Sequence, residues 1–272
     1  MNKVLTSLRG DAKKIFLQAL RAADPNHILS SHISLRKNVL RVGKKTYPLS
    51  RFDRVLVVGT GKASAAMAAN LEKILGSRIT AGWINVKYDH GCKLRRIHAQ
   101  EAGHPLPDEN GFRGAQEIVR LLSNLTERDL VIFLISGGGS ALLPSPRPGI
   151  TLEEKQRVTD LLLRSGATIQ EINVLRKHLS VLKGGGLARI AYPATLISLI
   201  LSDVIGDPLD AIASGPTVPD PTRFEDCARI LDRYELWEKI PPPVARHIRE
   251  GVEGKKEETL KEGNPAFEKV YY

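Results

Sequence analysis

The chain has 272 residues, of which 42% are apolar and 26% charged. That balance suits a globular protein with a real buried core and is too rich in apolar residues for a disordered chain. The longest apolar runs, Leu130–Ile135 and Leu196–Leu201, have strand length and fall short of the roughly 18 residues that cross a bilayer.

Ala12, Ile15, Phe16, Ala19, Leu20 and Ala23 recur at helical spacing, so Asp11–Ala23 reads as a helix stopped by Asp24-Pro25. Val39–Val42, Gly43-Lys44-Lys45 and Thr46-Tyr47 read as a short hairpin. Arg54–Val58 is a buried strand that runs into Gly59-Thr60-Gly61-Lys62 and a small-residue helix, Ala63–Leu75. The next strand is at Ala81–Val86, then a polar loop over Gly103–Gly111 and a helix over Phe112–Leu122. Leu130–Ile135 is another buried strand and ends in Ser136-Gly137-Gly138-Gly139-Ser140. Thr151 and Glu154 have the spacing of a capping box for a helix to about Ser165. Ile169–Gly184 is helical in pattern. Leu196–Leu201 is a third buried strand, ending in Ser202-Asp203; Glu225–Tyr234 is a late helix, and Pro241-Pro242-Pro243 breaks the chain beyond it. Lys269–Tyr272 has strand-forming character. Short apolar strands alternating with helices define an α/β chain: a doubly wound, Rossmann-like, mostly parallel sheet with helices on both faces.

Of the net charge of +10, residues 1–54 carry +9, from 12 basic and 3 acidic side chains. Only Phe16, Tyr47 and Phe52 are aromatic there, so the segment reads as a solvated basic layer, which argues against nucleic acid as a partner. The N-terminus mixes charge into every turn, unlike a secretory leader. Cys92 and Cys227 stand far apart without metal-ligand spacing, as expected of reduced thiols in a cytoplasmic protein.

Three glycine-rich turns carry the chemistry. In Gly59-Thr60-Gly61-Lys62 the lysine opposes the dipole of the following helix, a placement that makes sense beside an anion. Ser136-Gly137-Gly138-Gly139-Ser140 after a buried strand can cradle an anion with backbone amides. Ser140 is not in the G-x-S-x-G setting of a hydrolase nucleophile, because Leu142 replaces the last glycine. Lys183-Gly184-Gly185-Gly186 has more glycine than a helix C-cap needs. Asn173, Arg176 and Lys177 share one helical turn and could hold a carboxylate or phosphate. Asp203, at a strand end, is placed to hold a divalent cation or to accept a hydroxyl proton, with Asp207 next to it in the loop. His104, in the polar loop, could reach such a site.

The stretches VVGTGKASAAMA, GHPLPDENG, LISGGGSALLPSP, GITLEEKQ, LLLRSGATIQEINVLRKHLSVLKGGGLA and LILSDVIGDPLDAIASGPTVPDPTRF, in this order, resemble the glycerate 2-kinase family, whose members have also been labelled hydroxypyruvate reductases. The resemblance implies phosphorylation of D-glycerate to 2-phosphoglycerate by ATP with Mg²⁺. It also implies that residues 1–272 form the N-terminal domain of a protein that continues into a smaller C-terminal MOFRL domain, with the active site between them. Lys62 falls on the lysine implicated in catalysis, and Thr60 stands where alanine is common. Gly59, Gly61, Ser136–Ser140 and Lys183–Gly185 would then hold the nucleotide, Lys62 and Asp203 would be catalytic, Asn173, Arg176 and Lys177 would bind D-glycerate, and Asp203 with Asp207 the metal. The chain stops about where a further core strand is expected, which leaves two partners open: a second copy, or the C-terminal half.

Two other functions compete. An NAD(P)H-dependent hydroxypyruvate reductase would suit glycine turns, but G-x-G-x-x-G fails at Ser64 and only Asp89 follows the second strand as a ribose ligand. An inactive nucleotide-binding or nucleic-acid-binding fragment would rely on the basic first 54 residues.

Overall fold

A computed structural model describes residues 3–272. The chain begins with two helices, α1 (Lys3–Ala22) and α2 (Pro25–His32), and a three-stranded antiparallel sheet of β1 (Ile33–Arg36), β2 (Val39–Val42) and β3 (Lys45–Pro48). Next come β4 (Arg54–Thr60), α3 (Ser64–Leu75), β5 (Ala81–Lys87), β6 (Ile97–Ala102), α4 (Glu109–Leu121), β7 (Asp129–Ser136), α5 (Gly139–Leu142), α6 (Leu152–Arg164), α7 (Ile169–His178) and α8 (Gly186–Ala191). The rest is β8 (Thr195–Leu201), α9 (Phe224–Arg233), α10 (Pro242–Val252) and β9 (Val270–Tyr271).

The six later strands form one parallel sheet in the order β6-β5-β4-β7-β8-β9. The order reverses between β4 and β7, so the chain is doubly wound, and the crevice beyond the carboxyl ends of these two strands is where ligands of such sheets bind. Every residue of β7 is buried, as a central parallel strand demands.

Alternate residues of the strands feed two cores. Val55 and Val57 with Leu130, Ile132 and Leu134 pack against Ala65, Ala68 and Leu71 of α3 and against Leu40 and Val42 of β2. Leu56 and Val58 with Val131, Phe133 and Ile135 pack against Ala115 and Ile118 of α4 and Leu187 and Ala188 of α8. A third core joins α6, α7, α9 and α10 through Val158, Leu162, Leu175, Leu231 and Ile248. That helical layer carries Lys155 on α6 and Arg176 and Lys177 on α7.

Several expectations are revised. The helix expected over 169–184 ends at His178: Ser180 bridges back to Pro146, and the Val181 amide bonds to the Ser145 carbonyl at 2.8 Å. The three glycines therefore open α8 rather than cap α7, with Gly185 in the left-handed region at its N-cap. Strands β1 and β6 and helix α2 were not foreseen. β6 is half polar, as an edge strand can be, and lacks the continuous apolar run used to find the others. The prolines at 241–243 start α10 rather than only breaking the chain, because proline suits the first turn. The Thr151–Glu154 capping box forms as expected, and a second, Thr168–Glu171, opens α7. Among the described residues no helix is long and apolar enough to cross a membrane, and both cysteines are free thiols.

Candidate active site

The first two glycine turns meet at the reversal of strand order. Thr60, fully buried, donates its hydroxyl to the Gly139 carbonyl at 3.2 Å. The Lys62 amide bonds to the Gly137 carbonyl at 2.9 Å, and the Ala63 amide to Ser136 Oγ at 3.0 Å. Gly61 has φ +126°, and a Cβ there would stand 2.7 Å from the Ser136 carbonyl carbon, so only glycine lets the two turns touch. The Gly61 amide is bonded to the Asn85 carbonyl at 3.1 Å. Gly59 packs between Ile84 and Leu134. These two glycines thus seat the turn. The amides of Gly138, Gly139 and Ser140 make no backbone hydrogen bond among the described residues.

Above this floor three side chains converge. Lys62 Nζ lies 3.9 Å from Asp203 Oδ2, both side chains about half exposed. Asp203 lies over Gly137 so closely that a Cβ there would overlap its carboxylate, and His104 lies over Gly138, 2.9 Å from the place a Cβ would take. Partial burial and then the nearby Lys62 charge push the His104 imidazole below the usual histidine range. Loops after β4, β6, β7 and β8 thus bring an ammonium, an imidazole, glycine amides and a carboxylate to one end of the sheet. Asp207 lies further along its exposed loop, where its amide bonds to the Val204 carbonyl and nothing ties its carboxylate to Asp203.

Behind the Gly137–Gly139 turn lies a buried layer. Lys183, 2% exposed, donates to the Ser140 carbonyl at 2.8 Å, to Ser140 Oγ at 3.2 Å and to the Ala213 carbonyl at 3.4 Å. Burial, and then the Lys155 and Arg176 charges, push its ammonium well below the usual lysine range. Ser140 Oγ is 2.9 Å from Ser214 Oγ, which donates to Asn173 Oδ1 at 3.3 Å. The Gly184 and Gly185 amides bond to the Ser214 and Gly215 carbonyls. The third glycine turn therefore holds the 214–215 segment in place, and its contribution near the first two is the Lys183 ammonium.

The three residues grouped on α7 part company. Lys177 is buried and paired with buried Asp220 at 2.7 Å, with Asp210 at 3.9 Å. Burial opposes ionisation of Asp220, but the Lys177 bond and those from Thr222 hold its carboxyl below the usual range. Asn173 joins the serine network. Arg176 alone ion-pairs with no carboxylate among the described residues. Lys155 of α6 was missed by sequence reasoning. Its signal was a lysine on the apolar stripe shared with Val158 and Leu162.

A parallel sheet with glycine turns meeting at its switch point makes this a doubly wound α/β protein. The chain belongs to the family described as Domain of unknown function (DUF4147), which matches residues 11–249. Over 248 residues it is 48% identical to glycerate 2-kinase of Pyrococcus horikoshii, covering 91% of this chain and 55% of that protein. A crystal structure from the same organism superposes with a TM-score of 0.89 at 45% identity, over 97% of this chain and 59% of the other. A crystal structure of Thermotoga maritima glycerate kinase gives a TM-score of 0.82 at 37% identity, over 97% and 58%. The chain spans about half the length of the curated relatives it matches. The resemblance to glycerate 2-kinases and the doubly wound α/β fold are both borne out.

Proposed function

We propose that the protein of which these residues form the sheet domain transfers the γ-phosphoryl group of ATP to the 2-hydroxyl of D-glycerate, the activity named for its relatives. The observation that carries this is the meeting of Lys62, Asp203 and the Gly137–Gly139 turn at the switch point. Gly138, Gly139 and Ser140 would cradle phosphate oxygens through their amides. Lys62 would hold negative charge that grows as the phosphoryl group moves.

A carboxylate beside the phosphate cradle fits Mg²⁺, which needs only one or two protein carboxylates once nucleotide phosphates supply the other oxygens. Asp203 would hold it; Asp207, with no link to Asp203, is the weaker ligand. Bound Mg²⁺ would neutralise phosphate charge. Asp203 and His104 are the two groups near the turn able to accept the hydroxyl proton. His104, held below the usual range, stays neutral at physiological pH and so retains a lone pair.

The reductase alternative gains nothing from the geometry. Asp89, which would have to hold a dinucleotide ribose, sits in an exposed turn after β5 with φ +64°. The direct test is a coupled ADP-release assay with D-glycerate, comparing Lys62→Ala with the parent. Loss of a single transition-state charge contact predicts a fall in kcat of about 10²- to 10³-fold; unchanged turnover would remove Lys62 from the reaction.

A further inference from the structure

Lys155 of α6, Arg176 of α7 and Lys183, just before α8, have no counter-charge among the described residues. Lys155 is 7% exposed and its Nζ has no hydrogen-bond partner among the described residues. The charges acting on it are Arg176 and Arg147; those acting on Lys183 are Lys155 and Arg176. No carboxylate contributes to either, nor to Arg176. A buried lysine is ordinarily paired, as Lys177 is here with Asp220, because an unpaired buried charge is costly. Lys155 instead faces other cations from α7 and from the segment before α6. Arg147 Nε, on that segment, is likewise buried without a partner. Of the three, Arg176 is the one that reaches partway to solvent.

The position of this group gives it a use. Lys183 bonds to the Ser140 carbonyl, and Ser140 ends the same turn whose Gly138 lies under Lys62 and His104. Lys183 thus touches the turn at its Ser140 end, while Lys62 lies against Gly138. We infer that Lys155 and Arg176 form a cradle for a small oxyanion, the carboxylate of a hydroxy-acid acceptor, distinct from the nucleotide end of the cleft at Lys62; Lys183, whose three donors are already bonded, adds only its charge. The identity of that carboxylate rests on the kinase reading; the oxyanion chemistry does not. The Arg176 guanidinium offers a two-pronged donor, and Lys155 supplies donors with nothing else to bond. Burial, and then the Arg176 and Arg147 charges, push the Lys155 ammonium down to about 7, and a bound anion would offset the repulsive part.

The test is calorimetric titration of the 272-residue chain with D-glycerate, inorganic phosphate and glycerol, and separately with ATP. D-glycerate is expected to bind, glycerol, which has no carboxylate, is not, and phosphate is expected to displace D-glycerate. Lys155→Met should weaken D-glycerate binding about 10- to 100-fold, the loss of one hydrogen bond to a charged group. It should leave ATP binding within about twofold and should not lower the melting temperature, because it removes a buried group that has no partner. Lys155→Arg should restore most of the affinity. Arg176→Gln, at a partly exposed position, supplies the same test should Lys155→Met fail to fold. D-glycerate affinity that ignores both substitutions, phosphate that binds without displacing D-glycerate, or a wild-type chain that binds no D-glycerate overturns the cradle. If D-glycerate affinity is untouched while ADP release persists, the cradle is wrong and the kinase reading stands. Lys155-dependent binding of D-glycerate, with ADP release absent from the full-length protein that contains this chain, leaves the cradle and removes the kinase.

Discussion

Gly137→Ala separates the geometry of the site from the stability of the fold. The backbone of Gly137 is outside the left-handed region, so alanine meets no intrinsic strain there. The Cβ would overlap Asp203, whose carboxyl carbon would stand 2.6 Å away. To regain ordinary contact at about 3.5–4.0 Å, that carboxyl must retreat by about 1 Å. It can do so cheaply, since the Asp203 side chain is 59% exposed and its one ion pair, to Lys62 at 3.9 Å, is of the exposed kind that contributes little. The expected stability loss is below about 1 kcal/mol, whereas misplacing a reacting or metal-holding group by about 1 Å costs on the order of 10² in rate. Gly61→Ala is the contrasting perturbation. There the added carbon meets the Ser136 carbonyl, which is backbone in a central strand, and the residue has φ +126°. Positive-φ strain of about 1–2 kcal/mol plus overpacking of about 1–3 kcal/mol predicts a clear loss of stability. Thermal melts and ADP-release rates on the two variants check both statements. Equal drops in melting temperature, or full activity in Gly137→Ala, would refute the placement of Asp203 over the turn.

Two further outcomes concern the buried cations. Lys177→Met leaves buried Asp220 without its 2.7 Å partner, so it should destabilise by about 3–5 kcal/mol in a urea melt, consistent with a structural role for this lysine. Lys155, at about 7 in the folded chain and near 10.5 unfolded, binds its proton less tightly when folded. Above its folded value the unfolded chain holds more protons, so stability should rise with pH by up to about 1.4 kcal/mol per unit. The useful window is about pH 7–8.5, because burial raises the Cys227 thiol and ionisation of the unfolded thiol then works in the opposite direction. In Lys155→Met this part of the slope should vanish; an unchanged slope would assign it to other groups.

Much of the sheet was legible because β4 and β7 are buried on both faces and so carry apolar runs, and β8 is apolar from Leu196 to Leu201 apart from Ser198. The edge strand β6 and the strand β1 of the small sheet have no such run, and the half-polar IHAQEA reads as loop until its pairing with β5 is known. The Lys62 and Ser136–Ser140 turns were legible as chemistry, since glycine clusters after buried strands have few purely structural uses. Their nearness was not, because it depends on β4 and β7 pairing although α3, β5, β6 and α4 lie between them in the chain, a matter of strand order. Helical spacing put Asn173, Arg176 and Lys177 on one turn but could not say what each met. Asp220, whose position near α7 is set by long-range packing, separates Lys177 from Arg176.

The contrast between the two cationic groups bears on what the glycine turn can do. Lys62 is half exposed and already opposes a carboxylate, so it can exchange Asp203 for a phosphate at little cost in solvation. Lys155 is buried, opposed only by cations, and gains most from a ligand that brings its own negative charge. On the proposed reading, a polyphosphate approaches from the first side and a carboxylate is held on the second. A side chain at Gly137 or Gly138 would collide with Asp203 or His104, so glycine is needed there for contact between the two halves of the cleft. If the carboxylate were instead bound on the Lys62 side, Lys155→Met would leave KM for D-glycerate unchanged, and Lys62→Ala would raise the KM values for nucleotide and acceptor together.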